Sequence, residues 1–260
     1  MRRRLDVELV RRGLASSRAV AVEAVAAGRV SVAGAPALSP ARQVAADEPI
    51  VVAAPAAEFV SRGGVKLAAA LDAFDLDVRG LRCLDVGAST GGFTDCLLQR
   101  GAKHVIALDV GRGQLAWSLR NDPRITVLER TNIRHVEPAA IAPAPEFCVV
   151  DVSFISLRTV APHLLELTTD EAGFVLLVKP QFEAGRARVG KGGVVRDRDV
   201  RRAVVEEVLD RLADQGLGVR ALVRSPITGA DGNVEFLAYA RRGAARVDAH
   251  AVASIAGGES

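Results

Sequence analysis

Two lysines and two carboxylates alternate along this 260-residue chain at positions where a simple solvated charge would be out of place: Lys66, Asp151, Lys179 and Glu235. Asp151 closes the apolar run Phe147-Cys148-Val149-Val150, and Lys179 closes Phe174-Val175-Leu176-Leu177-Val178. Glu235 falls inside a predicted strand, Asn233-Val234-Glu235-Phe236-Leu237, and Lys66 opens a helix after Ser61-Arg62-Gly63-Gly64-Val65. An amine ending so apolar a strand is partly desolvated, which favours its neutral form, while a nearby carboxylate favours the charged one. A lysine balanced between the two can accept or position a hydroxyl proton. Singly, each residue also fits a structural ion pair; their alternation along the chain points to a shared site.

The second chemical feature is Leu84-Asp85-Val86-Gly87-Ala88-Ser89-Thr90-Gly91-Gly92-Phe93-Thr94-Asp95. It reads as a strand ending in an acid, a glycine-rich turn and a helix start, a turn that lets a cofactor approach the backbone. Dinucleotide binding wants G-x-G-x-x-G, and the position of its second glycine is Ser89 here. With Asp109 ending the next apolar run, Val105-Ile106-Ala107-Leu108, the pattern favours S-adenosylmethionine (SAM). A tight strand-to-helix turn with no ligand is the plainer alternative.

These residues need elements to hold them. From residue 60 the chain alternates strands, expected at 81–86, 104–109, 124–128, 146–151, 173–179, 218–224 and 234–240, with helices at 65–75, 91–101, 113–120, 156–168 and 198–215. That order predicts an α/β, Rossmann-like sheet with its ligand site at the carboxyl ends of the strands. The last two strands are too close for a helix between them, which predicts a final antiparallel pair and the seven-stranded sheet of SAM methyltransferases. Residues 241–260, rich in alanine, read as a helix fraying into a tail.

The front of the chain differs. Its first 30 residues carry Arg2, Arg3, Arg4, Arg11, Arg12, Arg18 and Arg29 against Asp6, Glu8 and Glu23. Helices are expected at 5–14, with Leu5, Leu9 and Val10 as apolar positions, and at 17–27, with Val20, Val22 and Val25; Gly13 and Gly28 are their stops. A strand, turn and strand follow, Arg29–Val32, Ala33–Pro36 and Pro49–Val52. A small α+β module bearing arginines suits RNA gripped through its phosphates, or else a solvated arginine face. Ala53–Ala57 reads as a linker.

Composition sets outer bounds. At 49% hydrophobic and a mean hydropathy of +0.20, the chain can bury a core. Its apolar runs fall far short of the roughly 20 residues of a membrane helix. Arg2-Arg3-Arg4 is followed by Leu5-Asp6-Val7-Glu8, so no signal-peptide core is expected. Cys83, Cys96 and Cys148 lack metal-ligand spacing and read as buried thiols in a reducing cytoplasm. The four histidines are scattered, and no metal site is expected. The net charge of +3 and pI of 9.0 only hint at a polyanionic partner.

Several motifs in one order carry a resemblance: Ser61-Arg62-Gly63-Gly64-Val65-Lys66-Leu67, the glycine-rich loop, Val110-Gly111-Arg112-Gly113-Gln114-Leu115, Glu129-Arg130-Thr131-Asn132, Asp151-Val152-Ser153-Phe154-Ile155-Ser156-Leu157, Val178-Lys179-Pro180-Gln181-Phe182-Glu183 and Gly232-Asn233-Val234-Glu235. From about residue 4 to 240 the chain resembles the TlyA family of 2′-O-ribose methyltransferases of ribosomal RNA, also known as haemolysin A. The resemblance implies an αL-type RNA-binding domain at 1–56, a linker at 57–60, an FtsJ-like methyltransferase domain at 61–243 and a tail at 244–260. It implies a cytoplasmic enzyme, expected as a monomer, acting on rRNA in the 30S subunit, the 50S subunit or both.

The resemblance further implies a catalytic tetrad at Lys66, Asp151, Lys179 and Glu235. Lys179 would orient and deprotonate the ribose 2′-hydroxyl, with the two acids holding the lysines. For SAM, Asp85, Gly87, Ser89 and Gly91 would line the methionine end, Asp109 would take the ribose and Thr131 and Asn132 would lie near adenine. Phe154 would wall the pocket, or else pack in the core. RNA would meet Arg3, Arg4, Arg11, Arg12, Arg18, Arg29 and Arg62, and Arg186 and Lys191 in the basic loop Gly185–Gly193, which also reads as a plain solvated loop. The family implies cytidine targets in 16S helix 44 and 23S helix 69, and susceptibility to capreomycin-type antibiotics. One departure is Ala57-Glu58-Phe59-Val60, where the family often has Arg-Ala-Trp-Val. Methylation of 23S rRNA alone, ribosome assembly by RNA binding, and membrane lysis stand as alternatives.

Overall fold

The computed structural model describes residues 2–54, 57–185, 188–190 and 192–257. Two compact units divide the chain, residues 1–57 and 58–260.

In the first unit, β1 (Arg2–Arg4) pairs antiparallel with β4 (Gln43–Ala45), and β2 (Val30–Val32) lies between β3 (Ala35–Pro36) and β5 (Ile50–Val52). Helices α1 (Leu5–Arg11) and α2 (Arg18–Ala26) are both shorter than the sequence suggests. Leu5, Leu9, Ala21, Ala24, Val25, Val30 and Val32 make the core. Of the apolar positions of α2, Val25 is buried while Val20 and Val22 are exposed. Helical spacing can group only one set of neighbours, and Ala21, Ala24 and Val25 take the buried face because small side chains let α1 approach.

The second unit is a seven-stranded sheet in the order β11-β12-β10-β9-β6-β7-β8. Its strands are β6 (Arg82–Val86), β7 (His104–Leu108), β8 (Ile125–Leu128), β9 (Phe147–Val150), β10 (Gly173–Val178), β11 (Leu217–Arg224) and β12 (Phe236–Arg242). β12 runs antiparallel to both of its neighbours, β10 and β11. The helices are α3 (Gly63–Ala73), α4 (Gly92–Gln99), α5 (Trp117–Arg120), α6 (Leu157–Leu167), α7 (Pro180–Glu183), α8 (Arg198–Asp214) and α9 (Ala249–Gly257). The central strands are apolar on both faces because both are covered. Leu84, Val86, Cys148, Val150, Phe174 and Leu176 face α6 and α8. Cys83, Val149, Val175 and Leu177 face α3 and α4.

Two boundaries shift. The helix expected at 113–120 is a single turn, since Gly113 at φ +68 precedes it. Within residues 241–257 the expected helix is α9, which packs on α8 with Val252 and Ala256 buried, while β12 continues to Arg242. Among the described residues, no helix is long and apolar enough to cross a membrane.

Candidate functional site

Parallel strands deliver their carboxyl ends to one edge of the sheet, and the loops there collect the chemical residues. Asp151 follows β9 and Lys179 follows β10, the strand beside it. Lys179 Nζ is ion-paired with Asp151 and donates to Ser153 Oγ at 3.1 Å. It also lies 5.8 Å from the centre of the Phe182 ring.

Glu235 reaches the same edge by the opposite route. It does not lie inside the strand, as expected, but immediately before it, since β12 begins at Phe236. Because β12 is antiparallel, its first residue pairs with the last residue of β10, Phe236 with Val178. That register brings Glu235 beside Lys179. Helix α3 packs on β12 and brings in Lys66, whose Nζ lies 2.5 Å from Glu235 Oε2. Lys66 is 7% exposed and Glu235 is 2% exposed. Gln181 Nε2 is 3.5 Å from the other carboxylate oxygen, and a Cβ on Gly229 would fall 2.1 Å from it. The four residues therefore form two ion pairs, Lys179 with Asp151 and Lys66 with Glu235.

Two clefts open on this edge. One, of about 640 Å³, is lined by Gly87, Ser89, Asp109, Asn132, Asp151 and Phe154 among others. The other, of about 500 Å³, includes Ser61, Arg62, Lys66, Thr90, Gly92 and Asp151. Gly87, Ser89 and Asp151 belong to both. Gly87 is required where it stands: at φ +86, a Cβ there would lie 2.3 Å from the Asp151 carbonyl oxygen. Gly92 likewise lets the starts of α3 and α4 meet, since a Cβ would fall 2.2 Å from Ser61 Oγ.

The first cleft has the size and lining of a small-molecule site. Asp109 accepts from Ser89 N at 2.8 Å and from Gly111 N at 2.6 Å, which fixes its carboxylate at the rim. Val86, Leu108, Val110, Ile133 and Val160 supply apolar walls. A fixed carboxylate beside an apolar slot fits a ribose carrying a flat base, so these residues fit SAM.

Other expected contacts stand behind the cleft wall. Asp85 is fully buried and accepts from Thr94 Oγ1 at 2.6 Å, while its Oδ1 has no partner. Strand alternation explains this, because Asp85 shares the face of β6 covered by α4. Burial pushes its carboxyl up to about 7. Gly91, at φ +99, faces Leu115 and Leu119. Thr131 turns its hydroxyl to the Glu129 carbonyl at 2.9 Å. Phe154 is 91% exposed with φ +64 and meets the Phe182 ring at a tilt, with centroids 5.0 Å apart, which excludes core packing.

Three contacts are absent from the sequence reading: Ser153 on Lys179, Gln114 on Ser89 Oγ at 3.2 Å, and Glu183. Glu183 is buried and accepts from Ser156 Oγ at 2.5 Å and Leu157 N at 2.8 Å, tying α7 to the start of α6. Ser153 and Glu183 lie within the quoted motifs, but only the fold shows their partners. Cys83, Cys96 and Cys148 are buried and free.

The arginines of the first unit are organised by two buried acids. Asp6 binds Arg4 and Arg18, and Glu8 binds Arg3, Arg11 and Arg12. Arg12 turns inward to the carbonyls of Ala45, Ala46 and Glu48, and Arg29 lies 3.8 Å from Glu23. The Arg4 guanidinium holds Asp6 down to about 2, and Arg11 with Arg12 does the same for Glu8. In the second unit Arg62 is exposed at the cleft. Phe59, from the expected linker, is buried against Gly64. Arg186 and Lys191 lie outside the described residues.

The FtsJ-like methyltransferase family matches residues 59–242, and the S4 domain family matches residues 3–50. The 16S/23S rRNA (cytidine-2′-O)-methyltransferase TlyA of Mycobacterium tuberculosis is 52% identical over 244 residues, 92% of this chain and 90% of that protein. Hemolysin A of Brachyspira hyodysenteriae is 40% identical over 237 residues, 91% of this chain and 98% of its own. A solved candidate hemolysin from Streptococcus thermophilus superposes with a TM-score of 0.73 at 39% identity, covering 97% of this chain and 95% of that one.

Proposed function

The chain belongs to the TlyA family of FtsJ-like methyltransferases, with an S4 domain at its N-terminus, and from that premise we propose that it methylates the ribose 2′-oxygen of cytidines in ribosomal RNA. The observation that carries the reading is Asp151, which lines both clefts and is ion-paired with the Lys179 amine, itself bonded to Ser153 Oγ.

SAM is the proposed methyl donor, held in the larger cleft, and supplies an electrophilic methyl group when bound. Asp109 would hold its ribose hydroxyls, Asn132 would face its base, and Gly87 and Ser89 would back its methionine end. Asp85, Gly91 and Thr131 would support that wall from behind. Phe154 would form the outer wall.

Lys179 would orient the ribose hydroxyl and take its proton, with Asp151 keeping the amine aimed at the shared wall. Lys66, held by Glu235, would steady the RNA backbone in the smaller cleft, with Arg62 at its mouth. In the S4 domain, Arg3, Arg4, Arg11 and Arg18 keep exposed guanidinium surface while paired to Asp6 or Glu8. Buried acids thus preset the arginines against RNA phosphates, while Arg12 and Arg29 brace the module. The proposed targets are helix 44 of 16S rRNA and helix 69 of 23S rRNA, reached in the cytoplasm.

Transfer of labelled methyl groups to separated, unmodified 30S and 50S subunits tests the reading, with the modified ribose then mapped. Label on 50S alone would restrict the target to 23S rRNA.

A further inference from the structure

The outer edge of the sheet carries a surface that the site above uses only at its inner margin, where Val110, Asn132 and Arg134 line the larger cleft. After β7 the chain runs through Val110, Gly111 and Arg112 to α5, which opens on Trp117. Trp117 is the only tryptophan of the chain and is 80% exposed; Val110 is 70% exposed. One exposed apolar side chain is common on a protein surface; the charge around Trp117 is what marks this one.

Its surroundings are basic. Residues 110–134 hold five arginines against two carboxylates, an excess equal to the formal +3 of the whole chain. Both carboxylates are engaged, Glu129 with Arg120 and Asp122 with Arg124. Arg112 and Arg130 are exposed and form no ion pair among the described residues. The three segments are tied into one patch. Glu129 accepts from Gly113 N at 2.7 Å, and Arg130 N donates to the Gly111 carbonyl at 3.0 Å. Helix α5 rests on the glycine-rich loop, with Ala116 N donating to Thr90 O at 3.1 Å.

We propose that Trp117, Arg112 and Arg130 form a second RNA-contact surface, carried by the methyltransferase unit itself. The indole stacks on an unpaired base and the guanidiniums hold the flanking phosphates. The excess of arginine selects RNA over an apolar protein partner. This inference rests on the rRNA reading above.

The test uses the full chain and unmodified 50S subunits. Trp117→Ala is expected to weaken binding about 10-fold, within the range of one stacked base, with SAM affinity unchanged and Trp117→Phe retaining most of the binding. Arg112→Ala combined with Arg130→Ala should lower the salt dependence of log K by about 2. With Trp117 the one tryptophan of the chain, poly(U) should quench the tryptophan emission. Wild-type binding by Trp117→Ala together with unquenched emission overturns the proposal, as does a loss seen on intact subunits but absent on protein-free rRNA. A wild-type enzyme that methylates neither subunit would instead overturn the rRNA reading.

Discussion

Lys179 and Asp151 form an ion pair at the ends of the adjacent parallel strands β9 and β10, and Asp151 lines both clefts. Ser153 Oγ accepts a second bond from the same amine at 3.1 Å. The amine is therefore aimed before any substrate arrives, which is what a group handling a hydroxyl proton requires. Lys179→Ala should lower the methyl-transfer rate at least ~100-fold, the scale of a lost general base. SAM and subunit affinities, measured by calorimetry and filter binding, should stay within about 2-fold. A variant that binds normally and still turns over at the wild-type rate would remove Lys179 from the chemistry.

Gly87 has no substitute. An alanine there meets both a left-handed backbone, at about 1–2 kcal/mol, and the Asp151 carbonyl 2.3 Å from its Cβ. Gly87→Ala should lower the melting temperature and weaken SAM binding at least ~10-fold, because the loop must move off the shared wall. Unchanged melting and unchanged calorimetric affinity would contradict this geometry.

Glu183 holds α7, and with it Phe182, to the start of α6 through Ser156 and Leu157. Glu183→Gln exchanges charge-assisted bonds for neutral ones and should cost about 1–2 kcal/mol in denaturant unfolding. The turnover number should fall at saturating SAM and subunits while SAM affinity holds. Loss of SAM affinity with normal turnover would show that Glu183 serves the other cleft.

Two acid sets give opposite pH signatures. Burial raises Asp85 to about 7, so the folded state holds a proton that the unfolded chain releases near 4. Stability should then fall as pH rises from about 4 to 7, by up to ~4 kcal/mol, and Asp85→Asn should flatten that slope. Asp6 and Glu8, held down to about 2 by their arginines, stabilise above about 4 and lose that effect as pH falls toward 2. Hydrogen exchange resolved by unit should show the acid loss in residues 2–54, abolished in Asp6→Asn combined with Glu8→Gln.

The alternation of apolar runs and helical stretches made the sheet legible in the sequence, because strands buried on both faces are apolar throughout. The ends of elements were harder to read. Asp85 lies one residue inside the end of β6, whereas Asp151 and Lys179 follow their strands, and the pleat sends it under α4 to Thr94. Glu235 belongs to the site only because β12 runs backwards, a matter of register. The arginines of the first unit could be counted but not apportioned, since nothing local to Asp6 and Glu8 announces that both are buried hubs. The bonds of Glu183 to Ser156 and Leu157 join segments that only the fold brings together.

The most direct measurement is a labelled-SAM assay on separated, unmodified 30S and 50S subunits, run with the wild type and Lys179→Ala and followed by nuclease mapping of the product. The expected result is 2′-O-methylcytidine in 16S helix 44 and 23S helix 69 with the wild type, and labelling at least ~100-fold slower with the variant. Label on a base, labelling at the wild-type rate by Lys179→Ala, or no label on either subunit would contradict the account.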